Sequence, residues 1–184
     1  MAFTEKALIW VDVETTGLVA HQEHLLEIAI LVTDLELNLL DEEGYQAVIW
    51  CPESIAPVLR DRADPFVQGM HDKTGLWDRL RDGKYAHVVQ EEALAYIKRF
   101  VPEPKTARIA GNSVRLDLNF LEAHLPEVAA HLHYRLADVS SLVGFAHWWG
   151  GVPQFDKQMQ HSAMADIRES IAEARYLREQ VFGW

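Results

Sequence analysis

The stretch "ALIWVDVETTGL" (residues 7–18) joins an apolar run to two carboxylates one residue apart and then to a loop with a single glycine. Residues 7–13 are rich in β-branched and aromatic side chains and read as a buried strand. On a strand, residues i and i+2 point to the same face, so Asp12 and Glu14 project together from its C-terminal end. In α/β sheets that end is where ligands usually bind. Two like charges side by side are unfavourable unless a cation or a proton sits between them. The pair is therefore either two solvated acids at a strand end or half of a metal site.

Working outward, "HLLEIAILVTDLELNLLDEE" (24–43) carries a second strand through Val32, and "YQAVIW" (45–50) reads as the third strand of a meander. Residues 52–83 hold Pro57, Pro65, Gly69 and Gly75 and read as short helices and loops. Within them, "DPFVQGMHDKTGL" (64–76) reads as the surface loop best suited to carry function. "VVQEEALAYIKRFV" (88–101) has helical spacing at Val89, Ala93, Leu94, Ile97 and Val101, ended by Pro102 and Pro104. Then follow strand "ARIAGNS" (107–113), helix "VRLDLNFLEAHL" (114–125), strand "LHYRLADVS" (132–140) and helix "SLVGFAHWWG" (141–150). The last helix is predicted from Ser162 to about Phe182, with an apolar stripe through Met164, Ile167, Ile171, Ala174, Leu177 and Val181. A meander followed by alternating strands and helices predicts a mixed sheet with helices on its faces, an α/β class.

Composition narrows the function. The 184 residues suit one domain, and 49% hydrophobic with 24% charged residues is ordinary globular composition. No run approaches the ~20 apolar residues of a membrane helix, and the start has no apolar signal core. Cys51 is the single cysteine, which excludes an internal disulfide and a thiolate zinc site, and a reducing cytoplasm is the expected compartment. A net charge of −11 argues against coating long nucleic acid, which needs a broad basic surface. It leaves room for a small phosphate ligand held by local cations or metal ions.

Two further acids stand where a packed face is expected. Asp117 shares a helix face with Phe120 and Leu121, where a carboxylate is costly unless paired, hydrogen-bonded or metal-bound. It is either a first-turn acid satisfied by free N–H groups or a metal ligand. Asp166 borders the Met164/Ile167 stripe, and His161 lies five residues before it, on a loop. Four carboxylates from one strand end and two helix starts form an oxygen-rich site suited to Mg²⁺ or Mn²⁺. Two such ions ~3.5–4 Å apart can activate a water and stabilise the leaving oxygen of a phosphodiester. An imidazole, with an ordinary pKa of ~6.5, can take the water's proton.

"DVETTG", "GNSVRLDLNFL" and "HSAMADIRESIAE" resemble the three motifs of the DEDD exonucleases of the histidine subtype, and "HYRLADVSSL" with "DIRESIAEARYLR" is most similar to the oligoribonucleases among them. The resemblance covers essentially the whole chain. It implies a ribonuclease-H-like mixed β-sheet flanked by α-helices, a single 3′→5′ exonuclease domain over 1–184, and release of 5′-mononucleotides from short RNA, especially dinucleotides. It makes Asp12, Glu14, Asp117 and Asp166 the ligands of two divalent cations and His161 the general base, with Tyr134 contributing to the active site. It makes Leu18 a wedge between two bases and adds Phe66, where the family usually has tryptophan, and His71 to the substrate-binding set. Ser113, Arg135 and Ser140 or Ser141 would cap a 5′ phosphate, with Arg135 acting across a homodimer. Trp77 and the Trp148–Trp149 pair are expected as core or interface aromatics. The alternatives are a related exonuclease acting on DNA or tRNA 3′ ends, and a non-catalytic dimeric scaffold.

Overall fold

The computed structural model describes residues 5–157 and 162–183. Along the chain, β1 (Leu8–Thr15), β2 (Leu25–Thr33) and β3 (Tyr45–Val48) come first, then the short helices α1 (Ala56–Arg62), α2 (Pro65–Thr74) and α3 (Leu76–Arg79). They are followed by α4 (Ala86–Phe100), β4 (Arg108–Gly111), α5 (Arg115–His124), α6 (Pro126–His131), β5 (His133–Asp138), α7 (Val139–Gly150) and α8 (Ala163–Phe182). The sheet order is β3-β2-β1-β4-β5. β1 pairs antiparallel with β2 and parallel with β4, so the expected strand stands at the centre of a mixed sheet. The meander and the alternating units are those the sequence predicts.

Burial on both sides explains why β1 and β2 read as nearly continuous apolar runs. Ile9 and Val11 pack into a core with Val89, Ile97, Phe120 and Leu121 from α4 and α5. Trp10 points the other way and packs with Ala29, Leu31 and the α8 residues Ile167, Ile171 and Leu177. The indole N–H of Trp10 is satisfied by Thr33 Oγ1 at 2.9 Å. By the two-residue period of a strand, Asp12 and Glu14 follow Trp10 on the α8 side.

Residues 64–76 depart from the expected loop. They form α2, started by Asp64, whose carboxylate accepts from the Phe66 N–H, with Pro65 in the first turn. Gly75 ends it in the left-handed conformation at φ 67°. Proline at a helix start and glycine just past its end are boundary signals, which here bracket a helix rather than break one. α6 also lies in a stretch the hydrophobic pattern does not resolve. Trp77 is core, packed with Leu26, Leu59, Leu76 and Leu80. Trp148 and Trp149 are not: they are 72% and 80% exposed, because they lie on the outer face of α7. Among the described residues no helix is long and apolar enough to cross a membrane.

Candidate active site

The carboxylates of Asp12 and Glu14, at the C-terminal end of β1, meet Asp166 near the start of α8. One oxygen from each lies within 4.8 Å of the other two. Packing causes this convergence. The α8 stripe seats on Trp10 and Leu31, and Asp166, one residue before buried Ile167, is carried to the strand end.

Asp117 enters from the opposite face of the sheet. It is buried in the first turn of α5, and its Oδ1 accepts the backbone N–H of Val13 at 3.0 Å. A backbone N–H thus satisfies one oxygen of Asp117, and its charge is felt by Asp12 and Glu14. His161 lies outside the described residues.

These acids cannot all be ionised comfortably. Burial first, then the charges of Asp117, Glu14, Asp166 and Glu27, push Asp12 well above the usual carboxylate range. Burial, Asp166, Glu27 and Asp117 raise Glu14 to about 8, with Arg79 opposing. Burial raises Asp117 to about 7, against the lowering effect of its hydrogen bonds from backbone N–H groups. An oxygen-only cluster burdened in this way fits hard divalent cations, whose charge would relieve the repulsion.

A second layer of polar residues holds the cluster in place. Glu27 faces Glu14 across the β1–β2 pairing and is buried. The Arg79 guanidinium donates to both its oxygens, at 2.7 and 3.3 Å, and Gln46 Nε2 donates at 3.0 Å. The sequence reading missed Glu27 and Arg79; the available signal was one acid inside the otherwise apolar "LLEIAILVT".

His71 corrects a sequence expectation. Its side chain is fully buried, with no face open to a substrate. Nε2 pairs with the Thr15 carbonyl at 2.9 Å, Nδ1 stands 3.8 Å from Glu14 Oε2, and the ring meets Trp77 edge-on. His71 supports the strand end from beneath. The reason is that α2 is a packed helix, which turns this residue inward.

The loop after β1 is shaped by its own hydroxyls. Thr15 Oγ1 donates to the Gly17 carbonyl, and Thr16 Oγ1 donates to Glu23 while accepting the His24 N–H. It presents Leu18, 74% exposed, into a cavity of about 620 Å³ that Glu14, Arg62, Asp64 and Phe66 also line. Phe66 is 70% exposed. Two large apolar side chains held open to water beside a carboxylate cluster suit a flat, partly apolar ligand.

Ser113 and Ser140 are brought together between β4 and α7. The Ser113 N–H is shared between Asp138 Oδ1 and Ser140 Oγ, at 2.9 and 3.0 Å, and the two hydroxyl oxygens lie 3.3 Å apart. Ser113 has a left-handed backbone at φ 52°, a strained conformation that these bonds over-determine. Ser141 instead donates to Asp138 Oδ2 at 2.8 Å, within the α7 cap. Tyr134 and Arg135 are exposed neighbours on the edge strand β5, the guanidinium 5.3 Å from the ring centre.

With this geometry in view, comparisons with known proteins agree. A family model described as an exonuclease, RNase_T, matches residues 9–174. The oligoribonuclease of Streptomyces griseus is 41% identical over 95% of this chain and 86% of its own length. That of Vibrio parahaemolyticus is 38% identical, over 99% of each. The chain belongs to the oligoribonuclease family.

Family membership makes the protein a nuclease, a hydrolase. Its fold is the ribonuclease-H-like arrangement of exonucleases. Escherichia coli exonuclease I, in complex with a 5cy-dT13 oligonucleotide, superposes with a TM-score of 0.67 at 16% identity, over 97% of this chain and 41% of that one. Cell-death related nuclease 4 (CRN-4) gives 0.68 at 12% identity, over 97% and 65%. At those identities the likeness is one of fold alone. The oligoribonucleases supply the family.

Proposed function

We propose that this chain, as one exonuclease domain over 1–184, hydrolyses very short oligoribonucleotides from the 3′ end, dinucleotides above all, releasing 5′-mononucleotides. The convergence of Asp12, Glu14 and Asp166 within 4.8 Å, beside a cavity that exposes Leu18 and Phe66, carries the reading. Asp12, Glu14, Asp117 and Asp166 would hold two divalent cations, Mg²⁺ or Mn²⁺. Such ions, when bound, neutralise a phosphodiester and lower the pKa of an attacking water.

The chain's own residues do the rest. Leu18 separates two bases and Phe66 stacks on one, so the scissile phosphate comes to rest over the carboxylates. His161 takes the proton of the attacking water at a ring nitrogen, and Tyr134 borders the reacting end. Ser113, Arg135 and Ser140 bind a terminal 5′ phosphate, where guanidinium and hydroxyl donors make strong charge-assisted bonds. A longer chain would have to pass that cap, which explains the preference for short substrates. Arg135 lies on an exposed edge strand and acts on the site of a second copy, so the working unit is a homodimer. The cytoplasm is the proposed compartment.

The deciding experiment incubates the protein with labelled RNA of two, five and twenty nucleotides, in Mn²⁺ or EDTA. The expected result is fastest cleavage of the dinucleotide, loss of all cleavage in EDTA, and none by Asp12→Ala. Equal rates at every length would overturn the 5′ cap. Absence of cleavage at any length would favour a scaffold.

A further inference from the structure

Behind the serine pair lies a buried carboxylate that the reaction does not use. Glu173 of α8 is 4% exposed. Its Oε2 accepts from Lys157 Nζ at 2.6 Å and from Asn112 Nδ2 at 2.8 Å. Asn112 Nδ2 also donates to Ser170 Oγ, and Asn112 Oδ1 accepts from Ser140 Oγ, each at 3.0 Å. Ser140 Oγ in turn accepts the Ser113 N–H.

We infer that Glu173, acting through Asn112 and Ser140, is a positioning residue that sets Ser113 as the hydroxyl donor for a 5′-terminal phosphate. An asparagine amide can face a neighbour with either its oxygen or its nitrogen. An ionised carboxylate only accepts, so Glu173 selects the nitrogen for itself and turns Oδ1 toward Ser140. Lys157 Nζ donates to the same oxygen, so that oxygen serves as an acceptor toward both of its partners. The single hydroxyl hydrogen of Ser140 is then committed to Asn112, and its lone pairs face Ser113. Ser140 holds the strained Ser113 backbone as an acceptor. The 3.3 Å contact between the two hydroxyls is long for an O–H···O bond, so the Ser113 hydroxyl hydrogen can turn outward to an anion. The left-handed backbone of an exposed serine has its purpose here. Without the chain from Glu173, the Asn112 amide can face Ser140 with either end, and the Ser140 hydroxyl hydrogen loses its fixed acceptor.

The inference rests on the dinucleotide reading above, and the test separates the two. Steady-state kinetics are compared for one dinucleotide bearing a 5′ phosphate and the same dinucleotide bearing a 5′ hydroxyl. The wild type is expected to favour the phosphorylated form. Glu173→Gln keeps the volume but can donate as well as accept, so the amide loses its instruction. The preference should fall roughly tenfold, through KM for the phosphorylated substrate, with the hydroxyl substrate unaffected. Asn112→Ala, at a half-buried position, should do the same and serves if the Gln variant folds poorly. Ser113→Ala should remove the preference, and Glu173→Gln added to Ser113→Ala should cost nothing more. An unchanged preference in Glu173→Gln and Asn112→Ala would overturn the inference while leaving the function intact. So would an equal loss on both substrates, the mark of a purely structural role. A wild type that cleaves neither dinucleotide would overturn the function, and this inference with it.

Discussion

Val13 and Asp117, 104 residues apart in the chain, are joined by a 3.0 Å hydrogen bond from the backbone N–H of one to the carboxylate of the other. Val13 is the residue between Asp12 and Glu14. The bond therefore fixes the fourth acid to the backbone of the first two, across the end of the sheet. It makes Asp117 both a structural acceptor and a candidate ligand, and the two roles can be separated.

Asp117→Asn keeps an oxygen for Val13 and removes the charge. Activity in Mn²⁺ is expected to vanish while the melting temperature in EDTA stays level or rises. Asp117→Ala orphans a buried N–H and should destabilise by about 1–3 kcal/mol. Thermal melts of the two variants with and without Mn²⁺ make the comparison, and equal stability of both would contradict the acceptor role.

The acid cluster should give the metal-free protein an unusual pH response. Glu14 and Asp117 have folded values of about 8 and about 7, above their ordinary 4.5 and 3.8, and Asp12 is raised too. A group raised on folding contributes its full stability below its unfolded pKa and loses it as pH climbs through the folded pKa. In EDTA, the contribution of these acids should therefore decline between about pH 4 and about pH 9, and Asp12→Asn should flatten that decline. Melting curves across this range measure it. A decline of the same slope in Asp12→Asn would show that other groups cause it.

Phe66 stands open to the cavity, and base stacking on an aromatic ring is worth about 1–3 kcal/mol. Phe66→Ala should raise KM for a dinucleotide by roughly five- to a hundredfold, and Phe66→Trp should lower it, with little change in stability because the ring is exposed. Leu18→Ala should likewise spare the fold. Kinetics with matched melts test both. A KM unmoved by Phe66→Ala would place the bases elsewhere.

His71 should behave as a core residue. His71→Ala removes a filled volume and the bond to the Thr15 carbonyl, and is expected to destabilise by about 2–4 kcal/mol. Turnover should fall with it as the strand end loosens, and KM should change little. Urea denaturation alongside kinetics decides the matter. A raised KM at undiminished stability would return His71 to the substrate surface.

Much of the architecture was legible because it rests on local pattern. Continuous apolar runs marked the central strands, and helical spacing with an acid on a packed face marked Asp117 and Asp166. α2 is not legible from pattern alone, because Pro65 and Gly75 look the same in sequence whether they break a helix or bound one. Glu27 is not legible either, because a lone acid in a strand has no meaning until its arginine is known, and Arg79 lies 52 residues away.

By itself the sequence determined the chemistry on offer: the sheet and helix periods, the D-x-E pair, and the family motifs that mark an oxygen-rich nuclease site. Those signals are local, since side-chain type and spacing are written along the chain. Only the tertiary structure decided which groups meet: Asp117 beneath Val13, His71 inside rather than outside, and Glu173 behind the serines. Such pairings depend on which helix packs on which face of the sheet, and sequence separation carries no record of that distance.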